Sequence, residues 1–159
     1  EAYGLHASNG ILFNHESPFR GTNFVTNKIV KTAVAIKLGL EKKLVLGNLD
    51  AYRDWGHAKD YVIAMNKILS HKVPNDFVIA SGKTYSVRQF CEKTFIKLGM
   101  NYKNYVVQHK KYFRPGEVPF LKGDASKARK ILKWSPKYTI DSLIDEMIDT
   151  WMKTLSNKK

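Results

Sequence analysis

Gly10-Ile11-Leu12-Phe13-Asn14-His15-Glu16-Ser17-Pro18 is the stretch that decides how the rest of the chain is read. Four residues without a polar side chain run together and stop at an amide. Such a run, bounded by turn residues, reads as a short strand buried on both faces. Asn14 stands at its C-terminal end, where Ser17-Pro18-Phe19-Arg20-Gly21 opens a loop. A strand of this kind belongs in a parallel sheet and needs neighbours.

Downstream, the apolar spacing alternates between helix and strand. Val25, Ile29, Ala33, Ile36 and Leu40 recur at helical spacing from Asn23, with Gly39 at the end. Leu44-Val45-Leu46 is a short strand. Ala58, Tyr61, Val62, Met65, Ile68 and Leu69 make an apolar stripe on a helix over roughly 57–69. Phe77-Val78-Ile79-Ala80 is another buried strand, and Ser86-Val87-Arg88-Gln89 has the form of a capping box before a helix that buries Phe90, Cys91 and Phe95. Tyr105-Val106-Val107 is one more strand, and Ala125 to Leu132 a short helix. Thr139 caps a final amphipathic helix with Leu143, Ile144, Met147, Ile148 and Trp151 on one face. The class is α/β. The chain supplies few neighbours for its buried strands, so the expectation is a sheet begun elsewhere.

The 159 residues suit about one domain. No apolar run approaches the roughly 20 residues that span a bilayer, and no secretory signal pattern is visible at the start, so the expectation is a cytoplasmic protein with no membrane partner. The net charge of +13 raises nucleic-acid binding, with basic clusters at Lys127, Arg129, Lys130 and Lys133 and at Asn157-Lys158-Lys159. No zinc-finger, basic-zipper or RNA-recognition signature accompanies it, and a solvated basic surface with a few cations aimed at phosphates is preferred. Cys91 reads as a small core residue. The five histidines lack the spacing that converges on a metal, and no nucleophile elbow occurs. The ten glycines are never two residues apart, so the turn that lets backbone approach a pyrophosphate is missing. None of the eight tyrosines has a lysine four positions on.

Taken in order, several segments resemble the GDP-mannose 4,6-dehydratases, a family of extended short-chain dehydrogenases/reductases. They are Asn9 to Pro18, Asn23-Phe24-Val25-Thr26 with Lys28, Leu46-Gly47-Asn48-Leu49-Asp50-Ala51, Arg53-Asp54-Trp55-Gly56-His57-Ala58-Lys59-Asp60-Tyr61, and Tyr112-Phe113-Arg114-Pro115-Gly116-Glu117-Val118. The resemblance implies the C-terminal, substrate-binding portion, residues 1–159, of a Rossmann-type enzyme with the last sheet strands present and the NADP-binding half absent. It implies that Asn14 bonds the sugar or diphosphate, that Val25, Thr26, Lys28, Leu46 and Gly47 lie along the GDP moiety, and that Arg53 and Arg114 neutralise the diphosphate. Glu117 would accept from ribose hydroxyls, and His15 and Arg20 would contact the NADP cofactor. Phe19 and Gly116 depart from the family pattern, standing where Arg and Thr are usual.

By the same resemblance the complete enzyme converts GDP-D-mannose to GDP-4-dehydro-6-deoxy-D-mannose as a dimer or tetramer. The 159 residues alone are expected to be inactive, because the family's Tyr/Lys pair is missing from them. Two alternatives stay open: a related nucleotide-sugar dehydratase or epimerase, and a non-catalytic GDP-sugar-binding or interaction module.

Overall fold

Three-residue strands are too short to hold a sheet without helices packed on them. The computed structural model, which describes residues 3–157, builds four two-stranded ladders this way. β1 (Gly10–Leu12) runs parallel to β6 (Phe77–Ile79), and β2 (Asn14–Glu16) runs parallel to β5 (Trp55–His57) with Asn14 opposite Trp55. β3 (Leu44–Leu46) runs parallel to β8 (Val106–Gln108), and β4 (Tyr52–Arg53) is antiparallel to β7 (Tyr85–Ser86). The α/β class expected from the apolar alternation is the one observed.

Five helices cover these ladders: α1 (Val25–Lys37), α2 (Ala58–Leu69), α3 (Val87–Lys97), α4 (Ser126–Leu132) and α5 (Ile140–Ser156). The capping box expected at Ser86 forms, with Gln89 N–H donating to Ser86 Oγ at 3.1 Å and Gln89 Oε1 accepting from Ser86 N–H at 2.8 Å. Thr139 caps α5 in the same reciprocal way with Ser142. α1 starts two residues later than expected, at Val25, with Phe24 at the N-cap and no side-chain cap bond. Ile29 and Val30 of α1, Phe90 and Phe95 of α3, and Leu143, Ile144 and Met147 of α5 form one core with Trp55. Cys91 lies in it, as expected of a small core residue, and burial pushes its thiol up to about 12. A second core joins Tyr61, Ala64 and Ile68 of α2 to Phe77, Ile79 and Trp134.

Two buried carboxylates fasten the loops. Asp54 accepts from Ser81 N–H (2.9 Å), Ser81 Oγ (2.6 Å), Gly82 N–H (2.9 Å) and Gly123 N–H (3.1 Å). Asp60 accepts from the backbone N–H groups of Lys137 and Tyr138, both at 3.0 Å. Both are fully buried, and the hydrogen bonds offset the cost of burying their charge.

The first strand departs from expectation. Gly10 and Ile11 of β1 are exposed, Ile11 by 55%, and β6 is the one strand paired with β1 among the described residues, so its opposite edge is open there. The expected stripe on α2 also divides. Tyr61 and Ile68 face the core, while Val62 (61% exposed), Met65 and Leu69 (70% exposed) form a second apolar stripe on the solvent side. Exposed apolar stripes beside an open strand edge favour association. The chain is therefore expected to self-associate and to bind an apolar dye, and the double substitution Val62→Lys with Leu69→Lys should reduce both. Sedimentation as a monomer with no dye binding would contradict this.

Glu146 of α5 ties that helix to α2. Lys59 Nζ reaches Oε1 at 2.9 Å and His57 Nε2 reaches Oε2 at 2.6 Å. His57 Nδ1 accepts the Lys59 N–H at 3.1 Å as the cap of α2, so Nε2 carries the proton. The Lys59 hydrogen bond, then that of His57, holds the Glu146 carboxyl below 4.5. A carboxyl lowered by folding contributes stability that is present above its unfolded pKa and lost as the pH falls through its folded one. Glu146→Gln should thus melt below the parent near about pH 7, with the gap closing below about pH 4. A constant gap across that range would show that the ion pair does not carry it.

Candidate functional site

Alternation along β2 sets the site. Successive side chains on a strand point to opposite faces. Asn14 and Glu16 face a cleft of about 450 Å³. His15, between them, turns the other way and stacks on Tyr61 of α2 with ring centroids 4.8 Å apart. Trp55, the β5 partner of Asn14, lines the same cleft.

Asn23, Phe24, Val25 and Lys28, around the first turn of α1, make one wall. Leu46, Gly47 and Asn48, at the end of β3, make another. The third is a strap from Lys111 to Glu117. Main-chain bonds hold the strap: His109 N–H donates to Leu46 O at 2.9 Å, Tyr52 N–H to Pro119 O at 2.8 Å and Leu121 N–H to Tyr52 O at 3.1 Å. Gly47 lets it approach, since a Cβ there would overlap the Tyr112 carbonyl. Gly116, with φ at +70°, turns the strap between Arg114 and Glu117, and Glu117 N–H donates to Arg114 O at 3.3 Å. A left-handed position of this kind suits glycine.

The cations are arranged in two ways. Arg53 and Lys28 are fixed by the protein. Arg53 donates to Tyr52 O (2.7 Å), Val118 O (2.8 Å) and Glu117 Oε1 (3.0 Å), and Asn48 Nδ2 donates to Glu117 Oε2 at 3.3 Å. Lys28 Nζ donates to Val45 O at 2.8 Å and sits 4.7 Å from the centre of the Tyr112 ring. Lys111 and Arg114 are exposed on the strap and line the cleft from above.

Glu16 is the least exposed polar group of the site, at 2%. Thr26 Oγ1 donates to its Oε2 at 2.7 Å, and Arg20 Nε lies 3.3 Å from the same oxygen. Burial raises the Glu16 carboxyl against the pull of Thr26 and Arg20. The Arg20 guanidinium rests on the Phe24 ring, 3.5 Å from its centre, and Asn27 Nδ2 donates to the Arg20 carbonyl.

Eight of the nine residues expected to hold substrate therefore meet around one cleft: Asn14, Val25, Lys28, Leu46, Gly47, Arg53, Arg114 and Glu117. Thr26 is fully buried and turns to Glu16. Arg53 pairs with Glu117, while neighbouring Asp50 pairs with Arg88 at 2.9 Å. His15 and Arg20 stand outside the cleft lining. His15 Nδ1 donates to Phe13 O at 2.8 Å, which fixes the proton on Nδ1 and leaves Nε2 free. The residues that spacing did not single out are Glu16, Asn48, Lys111 and Tyr112. Glu16 had a signal, since it lies two positions from Asn14. No group of three or more metal-ligating side chains occurs among the described residues.

The family model for GDP-mannose 4,6 dehydratase matches residues 1–147. The chain belongs to that family. It is 50% identical over 159 residues to GDP-mannose 4,6 dehydratase 1 of Arabidopsis thaliana, covering all of this chain and 44% of the relative. It is 49% identical to the human GDP-mannose 4,6 dehydratase, covering 93% of this chain and 44% of the relative. The chain thus spans under half the length of these members of the family. Among solved structures, RMD from Pseudomonas aeruginosa complexed with NADPH aligns with a TM-score of 0.87 at 22% identity, covering 95% of this chain and 50% of that one. The UDP-glucose 4-epimerase of Thermotoga maritima with UDP-glucose aligns at 0.80 and 23%, covering 96% and 48%. Family membership and this likeness agree on the fold: a C-terminal portion of an extended short-chain dehydrogenase/reductase.

Proposed function

We propose that this chain is the GDP-mannose-binding portion of a GDP-mannose 4,6-dehydratase, with residues 1–159 as one substrate-binding unit. The observation that carries the reading is the convergence of Lys28, Arg53, Lys111 and Arg114 on a single cleft beside Asn14. Two phosphates need cations and forked donors, and guanidinium groups supply both. Glu117 accepts from ribose hydroxyls once a nucleotide enters, exchanging part of its bonding to Arg53 and Asn48. Lys28, pinned over Tyr112, and the Leu46-Gly47 backbone border the base.

The complete enzyme oxidises C4 of the hexose, removes water across C5–C6 and returns the hydride to C6. A bound NADP would supply the hydride-accepting and hydride-returning chemistry. This chain has peripheral groups for such a cofactor, and they fit: His15 keeps Nε2 free, and the Arg20 Nε is buried without an aligned acceptor. A phosphate cradle does not occur in these 159 residues, so the main cofactor contacts are assigned to another half of the enzyme. That half also covers the open edge of β1 and the outer stripe of α2, and the whole assembles as a homo-oligomer, a dimer or tetramer. No helix among the described residues is long and apolar enough to cross a membrane, and a cytoplasmic location is part of the proposal.

The test is a titration of GDP-mannose into the 159-residue chain, followed by an assay for the 4-keto product with NADP added. Saturable binding without turnover is expected. Turnover at about 1 per second or more would show that the chemistry lies within these residues.

A further inference from the structure

Glu16 has no role in the site as described so far, yet its position is unusual. It shares the cleft face of β2 with Asn14, it is buried, and both of its partners, Thr26 and Arg20, meet the same oxygen, Oε2. This leaves Oε1 as the oxygen turned to the cleft.

Charge decides which part of a ligand that is. The cations stand on α1, β4 and the strap, on the walls of the cleft, so the anionic groups of a nucleoside diphosphate sugar gather there. A carboxylate repels phosphate and accepts from neutral hydroxyls. Asn14 and Glu16, at the two ends of β2 on one face, present an amide and a carboxyl, a pair that can read hydroxyl groups.

We propose that Glu16 is a sugar-positioning residue, its Oε1 accepting a hydrogen bond from a hydroxyl of the hexose. This rests on the reading of the cleft as a nucleotide-sugar site. Thr26 serves it by fixing the carboxyl, and so acts on the sugar indirectly.

The test compares GDP with GDP-mannose on the 159-residue chain and on Glu16→Gln. In the variant, the amide carbonyl accepts from Thr26 and the neutral NH₂ faces the hexose hydroxyl, so the charge-assisted hydrogen bond to a carboxylate is lost. GDP-mannose affinity should fall about 10-fold while GDP affinity stays within about twofold. Equal losses for the two ligands would make Glu16 a structural residue and overturn the proposal, as would no loss for GDP-mannose. Glu16→Asp, which keeps the charge beside Arg20 and withdraws the carboxyl from the cleft, should show the same split if the Gln variant fails to fold. A parent chain that binds GDP and GDP-mannose equally defeats the Glu16 proposal and leaves the nucleotide site standing. A parent that binds neither defeats the functional reading itself.

Discussion

Asp54→Ala should lower the stability of the chain by about 4 kcal/mol, a drop of about 8–16 °C in Tm for a chain of this size. Asp54 is fully buried and gathers four donors from two separate loops. Each hydrogen bond to a charged acceptor contributes about 1.5–3 kcal/mol, but the losses do not add, because the freed loops at Ser81-Gly82 and Gly123 can move towards water. Asp54→Asn separates charge from shape. An amide offers one acceptor oxygen where the carboxylate offers two, and its NH₂ meets N–H donors. It should cost about half as much. A melting shift under about 2 °C for the alanine variant would mean that the loops are held by packing instead. Asp54 lies between Arg53 and Trp55, both of which line the cleft, so the clamp also fixes the register of the site.

Arg114→Ala should weaken GDP-mannose binding about 10- to 150-fold, the equivalent of a charged hydrogen bond worth about 1.5–3 kcal/mol. Arg53 is already committed to two carbonyls and to Glu117. Arg114 stands exposed on the strap, turned by Pro115 and Gly116. It is the guanidinium with the greater freedom to meet a diphosphate. Its removal should leave the Tm unchanged, since the described contacts tie the strap through main-chain bonds and Arg53. Unchanged GDP-mannose affinity, or a large fall in Tm, would make Arg114 a surface or folding residue.

The helices were legible because their signals are local. Ser86 and Gln89 declare a cap three residues apart, and Ile140 to Ile148 repeat at helical spacing. β2 was not legible as a strand, because Asn14-His15-Glu16 is polar throughout and pairs with β5 some 41 residues away. Periodicity on α2 revealed apolar residues without revealing which of two adjacent stripes is covered. Tyr61 and Ile68 found the second core, whereas Val62 and Leu69 did not. Family resemblance named a set of residues, and one cleft gathers most of that set. Its internal bonding was not legible. The Arg53–Glu117 pair spans 64 positions, and the inward turn of Thr26 to Glu16 depends on where α1 begins relative to β2.

The most direct measurement of the central claim is the affinity of the 159-residue chain for GDP-mannose beside UDP-glucose, each at low and high salt. GDP-mannose should bind saturably at one site, at least about 10-fold more tightly than UDP-glucose. Its affinity should fall as salt screens the cleft cations. Absence of GDP-mannose binding, or equal affinity for the two nucleotide sugars, would contradict the assignment of this cleft to GDP-mannose.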